Sequence, residues 1–474
     1  MSLPIARTQS RLGSASVLPA TGASLGPSLP LPEPPEADLP ERIGKYRVLQ
    51  RLGEGATSEV FLAHDDFADR DVAIKRSHRP LLDDAQDQHY QQRFFASEAA
   101  LVGKLQHPNV VQIFDAVPDP VEPYLVMEYV PGVTLRRFCR PDALLPLTVV
   151  VEIGFKCAMA LNYVFRQGVI HRDVKPANIL AVTERGQVVD VKLTDFGSAL
   201  NLLSDRTQIF RVGSLAYMSP EQLDGSTLDA RADMYSLAAV LYHLVSGRPP
   251  FDSTQQPVLM NQIYHATPPP LTGLRDGVPE RLDAILQRAL AKDPQARHAS
   301  WTEFADQWSS LVTSGEVPRG SLRDVLDSER FNLLRGLDFF SGFGDVELWE
   351  VVHRAKWARH RFGDALYRKG ETGNTFHIIA SGSVEVFRDG QRVAQLGTGT
   401  SVGEMAYLAP SPDLATHSAD VVISDAATTI SFTPDTLGQL SPGTRHLFDA
   451  AFIRVLVRRL HAAHEALAHP RRIL

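Results

Sequence analysis

From Tyr46 the alternation of apolar and polar positions is that of strands, broken by the turn Leu52-Gly53-Glu54-Gly55-Ala56-Thr57-Ser58-Glu59-Val60. Val72-Ala73-Ile74-Lys75 follows at the spacing of the next strand, and Tyr124 to Val130 reads as another. Between them, about Gln88 to Gln106 predicts a helix, with Phe95, Ala99, Val102 and Leu105 near one face. Val151 to Gln167 is apolar on nearly all sides and predicts a buried helix, as does the shorter run Leu237 to Val245. Gly370 to Gly390 alternates between glycine turns as a small β-roll does. At the C-terminus Phe448, Phe452, Val455, Leu460 and Leu467 fall near one helical face, and Arg454, Arg458, Arg459 and Arg471 fall elsewhere. That helix is expected to pack over the roll or against a partner.

These patterns divide the chain. Residues 1–42 are rich in Ser, Pro, Ala and Gly and bury too little apolar surface to offset ordering, so a disordered tail is expected. A domain over 43–311 follows. A linker over 312–330 contains Gly315, Pro318 and Gly320, and a second domain covers 331–474. A length of 474 residues accommodates two or three such cores.

Composition narrows the classes. A formal net charge of -7 argues against a nucleic-acid-binding surface. The two cysteines, Cys139 and Cys157, are too few for a disulfide framework or a cysteine zinc site, and they point to a reducing cytoplasm. No apolar run is expected to reach the ~18–20 residues of a membrane span. No apolar core follows Arg7 and Arg11 as a secretory signal requires.

The chemistry concentrates in His171-Arg172-Asp173-Val174-Lys175-Pro176-Ala177-Asn178, followed by Asp195-Phe196-Gly197. Asp173 is a carboxylate able to receive a hydroxyl proton. Asn178 and Asp195 offer the hard oxygen ligands that Mg²⁺ prefers. Gly53 and Gly55 allow backbone amides close to phosphate oxygens, and Lys75 supplies a cation on the neighbouring strand.

Together these motifs resemble the catalytic segments of the eukaryotic-like Ser/Thr protein kinases found in bacteria, over about Tyr46 to Leu311. The resemblance implies an α+β, bilobal protein-kinase fold, ATP and Mg²⁺ as cofactors, and protein Ser/Thr hydroxyls as substrates. It assigns Asp173 as base, with Lys175 beside it as the mark of Ser/Thr specificity. Lys75 would hold the α- and β-phosphates and pair with Glu98, and Leu52 to Val60 would cover the nucleotide. Met127, with backbone at Glu128 to Val130, would border the adenine. The third glycine of the family's turn is Ser58 here. Ser219-Pro220-Glu221 closes the activation segment, Arg297 is the expected partner of Glu221, and Asp233 is expected to tie down the catalytic loop. Arg172 implies a phosphorylated activation segment, at Thr207 first, then Ser204 or Ser214. The rival reading is a pseudokinase scaffold, which usually lacks the lysine or one of the two aspartates. All three are present.

Residues from Phe331 onward resemble a cyclic-nucleotide-binding domain, a β-roll with flanking helices, and a cupin-like roll is the alternative scaffold. Gly403-Glu404-Met405-Ala406 matches the start of its phosphate-binding segment. Gly403 would open a short helix toward an anion, and Glu404 would accept from a ribose hydroxyl. The family's phosphate-binding arginine falls at Asp413 or His417, and no Arg or Lys occurs between Arg392 and Arg445. A small-molecule effector at 331–474, other than a tightly bound cyclic nucleotide, is the expectation, or a role confined to protein contacts.

Overall fold

The computed structural model describes residues 39–55, 58–77, 95–118, 122–196, 200–201, 212–319, 326–409, 411 and 414–468. The expected tail over 1–42 lies outside the described residues up to position 38. Six antiparallel strands form the N-terminal sheet: β1 (Arg42–Ile43), β2 (Tyr46–Glu54), β3 (Ser58–Asp65), β4 (Arg70–Ser77), β5 (Ile113–Val117) and β6 (Tyr124–Glu128), in the order β1-β2-β3-β4-β6-β5. The alternation in β3 is that of the burial, with Phe61 and Ala63 inside and residues on either side partly exposed. The register sets Val60 opposite Lys75 and Lys75 opposite Leu125, so the lysine stands in the middle of the sheet beneath the glycine turn.

The helix expected over 88–106 is shorter at its C-terminal end. Residues 88–94 lie outside the described residues, 95–99 are helical, and Val102 and Leu105 lie beyond the helix. Leu101 N–H bonds Glu98 O at 3.0 Å and Val102 N–H bonds Ala99 O at 3.2 Å, a tightening to three-residue turns. Gly103 at φ +69° then ends it.

The larger lobe is built on α1 (Leu147–Arg166), which is buried along most of its length among α2 (Ala230–Ser246) and α3 (Trp301–Thr313). Gly154 is required there, because a Cβ would fall 2.3 Å from Trp308 Nε1, which itself donates to Val151 O at 3.0 Å. Among the described residues α1 is long and apolar enough to cross a membrane, contrary to the sequence expectation. However, 78% of its most apolar window is buried within the protein, as befits a core helix. Five short strands, β7 (Gly132–Thr134), β8 (Val169–Ile170), β9 (Ile179–Glu184), β10 (Gln187–Leu193) and β11 (Leu200–Asn201), carry the chain past the cleft. They pair as β10-β9-β7 and β11-β8.

The second domain starts earlier than the composition implied. α4 (Asp327–Gly336) begins inside the stretch expected to be linker, and α5 (Asp345–Arg354) follows. Apolar residues a turn apart explain why this segment is helix and docks. Phe331 meets Phe155 of α1 at 5.8 Å between ring centroids and Trp349 at 4.9 Å, and all three rings are fully buried. The roll itself comprises β12 (Lys356–His360), β13 (Ala365–Tyr367), β14 (Phe376–Arg388), β15 (Gln391–Gly397), β16 (Ser401–Val402) and β17 (Asp420–Phe432). Its main path is β12-β17-β14-β15, with β13 on β17 and β16 on β14. α6 (Pro442–Ala468) seats Phe448 and Phe452 against Phe339 and Phe376. Leu460, expected on that apolar face, is 55% exposed, because the helix has run past the roll's core by that point.

Candidate active site and roll cavity

Asp233, near the start of α2, organises the catalytic loop. Its two carboxylate oxygens accept from the backbone amides of His171 and Arg172, each at 2.8 Å. Burial raises its carboxyl, opposed by His171 and those two amides. Arg172 holds φ +67° and Asp195 φ +66°, left-handed conformations costly for side-chain-bearing residues and maintained by their surroundings. His171 helps: its ring lies tilted against Phe196 at 4.6 Å between centroids, and its Nε2 lies 3.1 Å from Thr194 O.

Around Asp173 the polar groups converge. Lys175 Nζ donates to Asp173 Oδ2 at 2.6 Å, and Asn178 Nδ2 donates to Asp173 O at 2.9 Å and Oδ2 at 3.0 Å. Asn178 therefore turns its amide nitrogen toward the loop, and its amide oxygen is the end that suits a cation. On the facing sheet, Lys75 Nζ donates to Glu98 Oε1 at 2.9 Å and Oε2 at 3.1 Å, and to Asp195 Oδ1 at 2.6 Å. One ammonium serves two carboxylates. Burial opposes the charge on Asp195, but Lys75, with Lys175 and His171 farther off, holds its carboxyl well below the usual range. Burial likewise opposes the charge on Lys75, and Asp195 and Glu98 outweigh it and hold the ammonium protonated. Glu98, fully buried and farther from other cations, is pushed up to about 7 by burial.

The remaining sequence expectations divide. Gly55 N–H closes the turn onto Ser58 O at 2.8 Å, and Ala56 and Thr57 lie outside the described residues. Leu52 is exposed, whereas Glu59 turns into ion pairs with Arg76 at 2.9 Å and Arg51 at 3.2 Å. Glu59 thus braces the strands and does not face a nucleotide. At the hinge, Glu128 N–H is taken by Gln112 O at 2.8 Å, and its carboxylate by Lys192 at 2.9 Å. This leaves the Glu128 carbonyl and the backbone of Val130 for an adenine edge. Met127 is partly buried behind them. Ser204 and Thr207 lie outside the described residues, and Ser214 falls in the short turn Val212–Tyr217. Arg297 reaches Glu221 with both terminal nitrogens, at 2.6 and 2.8 Å, as expected of that pair.

The donor set fits a divalent cation of the Mg²⁺ kind: an ionised carboxylate on Asp195 and an amide oxygen on Asn178, both hard ligands. Among the described residues, no group of three or more His, Cys, Asp or Glu converges as a self-sufficient metal site. That is consistent with a cation whose other ligands come from phosphates and water.

A second cavity, of about 370 Å³, lies in the roll. Gly403 at φ +84° opens the single helical turn Glu404–Tyr407, and a Cβ there would fall 2.3 Å from Tyr367 Oη. Four residues are too few for the anion-attracting helix end expected from the sequence. Glu404 is buried, and Arg459 of α6 forms an ion pair with its Oε1 and donates to Ser401 O at 2.7 Å. Sequence reasoning placed Arg459 off the apolar face and gave it no role in the site. It lies 55 residues beyond Glu404. His417 stacks on Tyr367 at 3.9 Å, and burial lowers its pKa, opposed by Glu371. Pro412 and Asp413 lie outside the described residues.

Comparison with known proteins gives two family matches: the protein kinase domain over residues 46–309 and the cyclic nucleotide-binding domain over residues 359–441. The chain is 36% identical over 303 residues to serine/threonine-protein kinase PknB of Mycobacterium leprae, covering 62% of this chain and 47% of that protein. It is 35% identical over 298 residues to PknB of Mycobacterium tuberculosis, covering 61% and 46%. It is also 36% identical over 297 residues to a probable serine/threonine-protein kinase PknB of Bifidobacterium longum, covering 60% and 42%. The chain thus spans a little under half the length of the curated relatives it matches.

Proposed function

This chain belongs to the protein kinase family, and we propose that it transfers the γ-phosphate of ATP to Ser or Thr hydroxyls of proteins in the cytoplasm. The observation that carries the reading is the cluster Lys75, Glu98, Asp173, Asn178 and Asp195, with each charged partner within 3.1 Å of another. A pseudokinase would have no need of the paired lysine and both aspartates.

Each residue has a part. Lys75, held protonated between two carboxylates, presents a fixed cation to the phosphates. Gly53 and Gly55 admit the phosphates close to backbone. Asp195 and Asn178 would hold Mg²⁺, which neutralises phosphate charge when bound. Asp173 orients the substrate hydroxyl and takes its proton, and Lys175 at 2.6 Å keeps that carboxylate in place. Autophosphorylation at Thr207, Ser204 or Ser214, gripped by Arg172, belongs to the same proposal, and mass spectrometry of the active protein checks it.

Regulation through the C-terminal domain is supported by its docking. His107 sits between Tyr163 at 5.3 Å and Trp349 of α5 at 6.4 Å between centroids. It lies eight residues beyond the last helical residue of the Glu98 helix, and Asn109 ties this loop to Asp190 and to Val191 O, each at 2.8 Å. A shift of α5 would therefore press on the segment that positions Glu98.

Asp173→Asn tests the function. Purified protein carrying it should still bind ATP but lose ~10²–10⁴-fold in labelled-phosphate transfer to itself and to a generic Ser/Thr substrate. Turnover near that of the parent would refute the assignment.

A further inference from the structure

Two contacts lead from the second domain to the loop between the Glu98 helix and β5. The first is ionic. Lys156 of α1 is buried, and its Nζ donates to Asp190 Oδ1 at 2.9 Å and to Oδ2 of Asp327, the first residue of α4, at 2.8 Å. The same Asp190 Oδ1 accepts from Asn109 Nδ2 and from Val191 N–H, each at 2.8 Å. Three donors thus crowd one carboxylate oxygen, which has about two acceptor directions to give. Asp327 takes part of the ammonium's demand and leaves Asp190 able to hold Asn109. The second contact is steric. Trp349 of α5 packs edge-on against His107 at 6.4 Å between centroids, and His107 Nδ1 accepts from Asn109 N–H at 3.1 Å.

Asn109 is where both contacts meet the chemistry. It is fully buried and its carbonyl accepts from Leu193 N–H at 2.8 Å, while Leu193 O accepts from Val111 N–H at 2.8 Å. The loop is therefore laced to the end of β10, two residues before Asp195. On its other side Leu101 and Leu105 are buried in the core and lead back to the helix that carries Glu98. The loop joins the two carboxylates that share Lys75.

Geometry also gives the direction of the effect. The pair between Lys75 and Glu98 is formed while α4 and α5 are docked. Among the described residues, the hydrogen bonds, ion pairs and ring contacts of α4 and α5 with the chain before residue 320 fall on α1, α3, Arg319 and His107. None of these is a group of the cleft. We propose that Asp327 and Trp349 are positioning residues for phosphoryl transfer: docked α4 and α5 brace residues 107–109, keep Glu98 and Asp195 on Lys75, and support catalysis rather than block it. This deepens the kinase reading and rests on it. Without Asp327, Lys156 turns wholly onto Asp190 and competes with Asn109 for its oxygen, which loosens the loop.

Asp327→Asn in the full chain removes the charge with little change of shape. Its kcat for labelled-phosphate transfer to a generic Ser/Thr substrate should fall about tenfold, while affinity for a non-hydrolysable ATP analogue with Mg²⁺ changes less than about twofold. Amide hydrogen exchange over residues 100–111 should quicken. Trp349→Phe keeps a ring in the core but reaches less far toward His107. It should act in the same direction, and it carries the test if the first variant is too unstable to assay. Arg335→Ala removes the partly exposed pair between α4 and Asp306 of α3, and should leave both kcat and exchange unchanged. In a chain already carrying Asp190→Asn, Asp327→Asn should add little, because the two act through one oxygen. A rise in kcat would make the second domain an inhibitor and overturn the proposal. So would an unchanged kcat in Asp327→Asn and Trp349→Phe, an equal loss of ATP affinity, or a fall just as large in the Asp190→Asn background. A parent chain that transfers no phosphate refutes the kinase reading itself. The exchange measurement then decides the brace alone, and unchanged exchange in the variants overturns it.

Discussion

Glu152, on the face of α1 that meets α4, shows how one carboxyl can be both buried and useful. Its Oε2 accepts from Ser328 N–H at 3.3 Å and its Oε1 from the Ser328 hydroxyl, while Lys156 one turn on is engaged by Asp190 at 2.9 Å and Asp327 at 2.8 Å. Burial pushes the carboxyl of Glu152 up to about 7 from 4.5, against the pull of Lys156 and the Ser328 hydroxyl. Between those two values the folded protein keeps a proton that the unfolded chain has released, so stability falls as pH rises through that window. Below it both states are protonated and the group contributes nothing. Glu152→Gln should remove this component. Calorimetric melting at pH 5 and pH 8 should show a smaller drop in the variant, by an amount corresponding to on the order of 2–3 kcal/mol. An identical pH slope in parent and variant would show that Glu152 is not held this way.

At the scale of elements, a buried ion pair fastens the end of the activation segment to the loop before α3. The Arg297 guanidinium is wholly buried, binds Glu221 with both terminal nitrogens, and also donates to the carbonyls of Ala291 and Arg231 at 2.8 and 2.7 Å. Removing one partner leaves a buried uncompensated charge, so Arg297→Ala should cost ~3–5 kcal/mol in denaturant unfolding. The loss should appear in the stability of the larger lobe before it appears in ATP binding, because no atom of the pair approaches Lys75 or Asp195. The docking of α4 on α1 is of a different kind, aromatic and apolar. Phe331→Ala should cost ~3–5 kcal/mol through the cavity it leaves. Denaturant melts that keep the parent midpoint would contradict this packing.

The whole molecule is joined by one hydrophobic core that holds two groups of buried aromatic rings. Phe155 of α1, Phe331 and Trp349 form one, and Phe339, Phe340, Phe343, Phe448, Phe452 and Phe376 of the second domain form the other. A chain cut at residue 330 would divide α4 and expose Phe155 on the larger lobe. It should melt about 10 °C or more below a chain cut after residue 355, which keeps α4 and α5 in place. Scanning calorimetry of the two truncations decides it, and equal melting temperatures would mean that the docked helices contribute little.

The catalytic groups were legible in the sequence because their spacing is local: Asp173, Lys175 and Asn178 lie within one loop, and Asp195 follows one hairpin later. Chain spacing did not determine that Lys75 would divide itself between Glu98 and Asp195, nor that Glu59 would turn into ion pairs with Arg51 and Arg76. Those outcomes follow from strand register and from competition among charges in the cleft. The helices over 147–166 and 230–246 are foreshadowed by the apolar runs Val151 to Gln167 and Leu237 to Val245, but 327–336 reads as polar. Phe331 and Leu334 become core only because α1 and α5 supply the other wall. The sequence by itself determined the local chemistry, the two lobes and the β-roll, since each depends on residues close together in the chain. Only the tertiary structure decided that Arg459 meets Glu404 and that the second domain rests against the loop after Glu98, because side chains brought together from distant segments leave no periodicity to read.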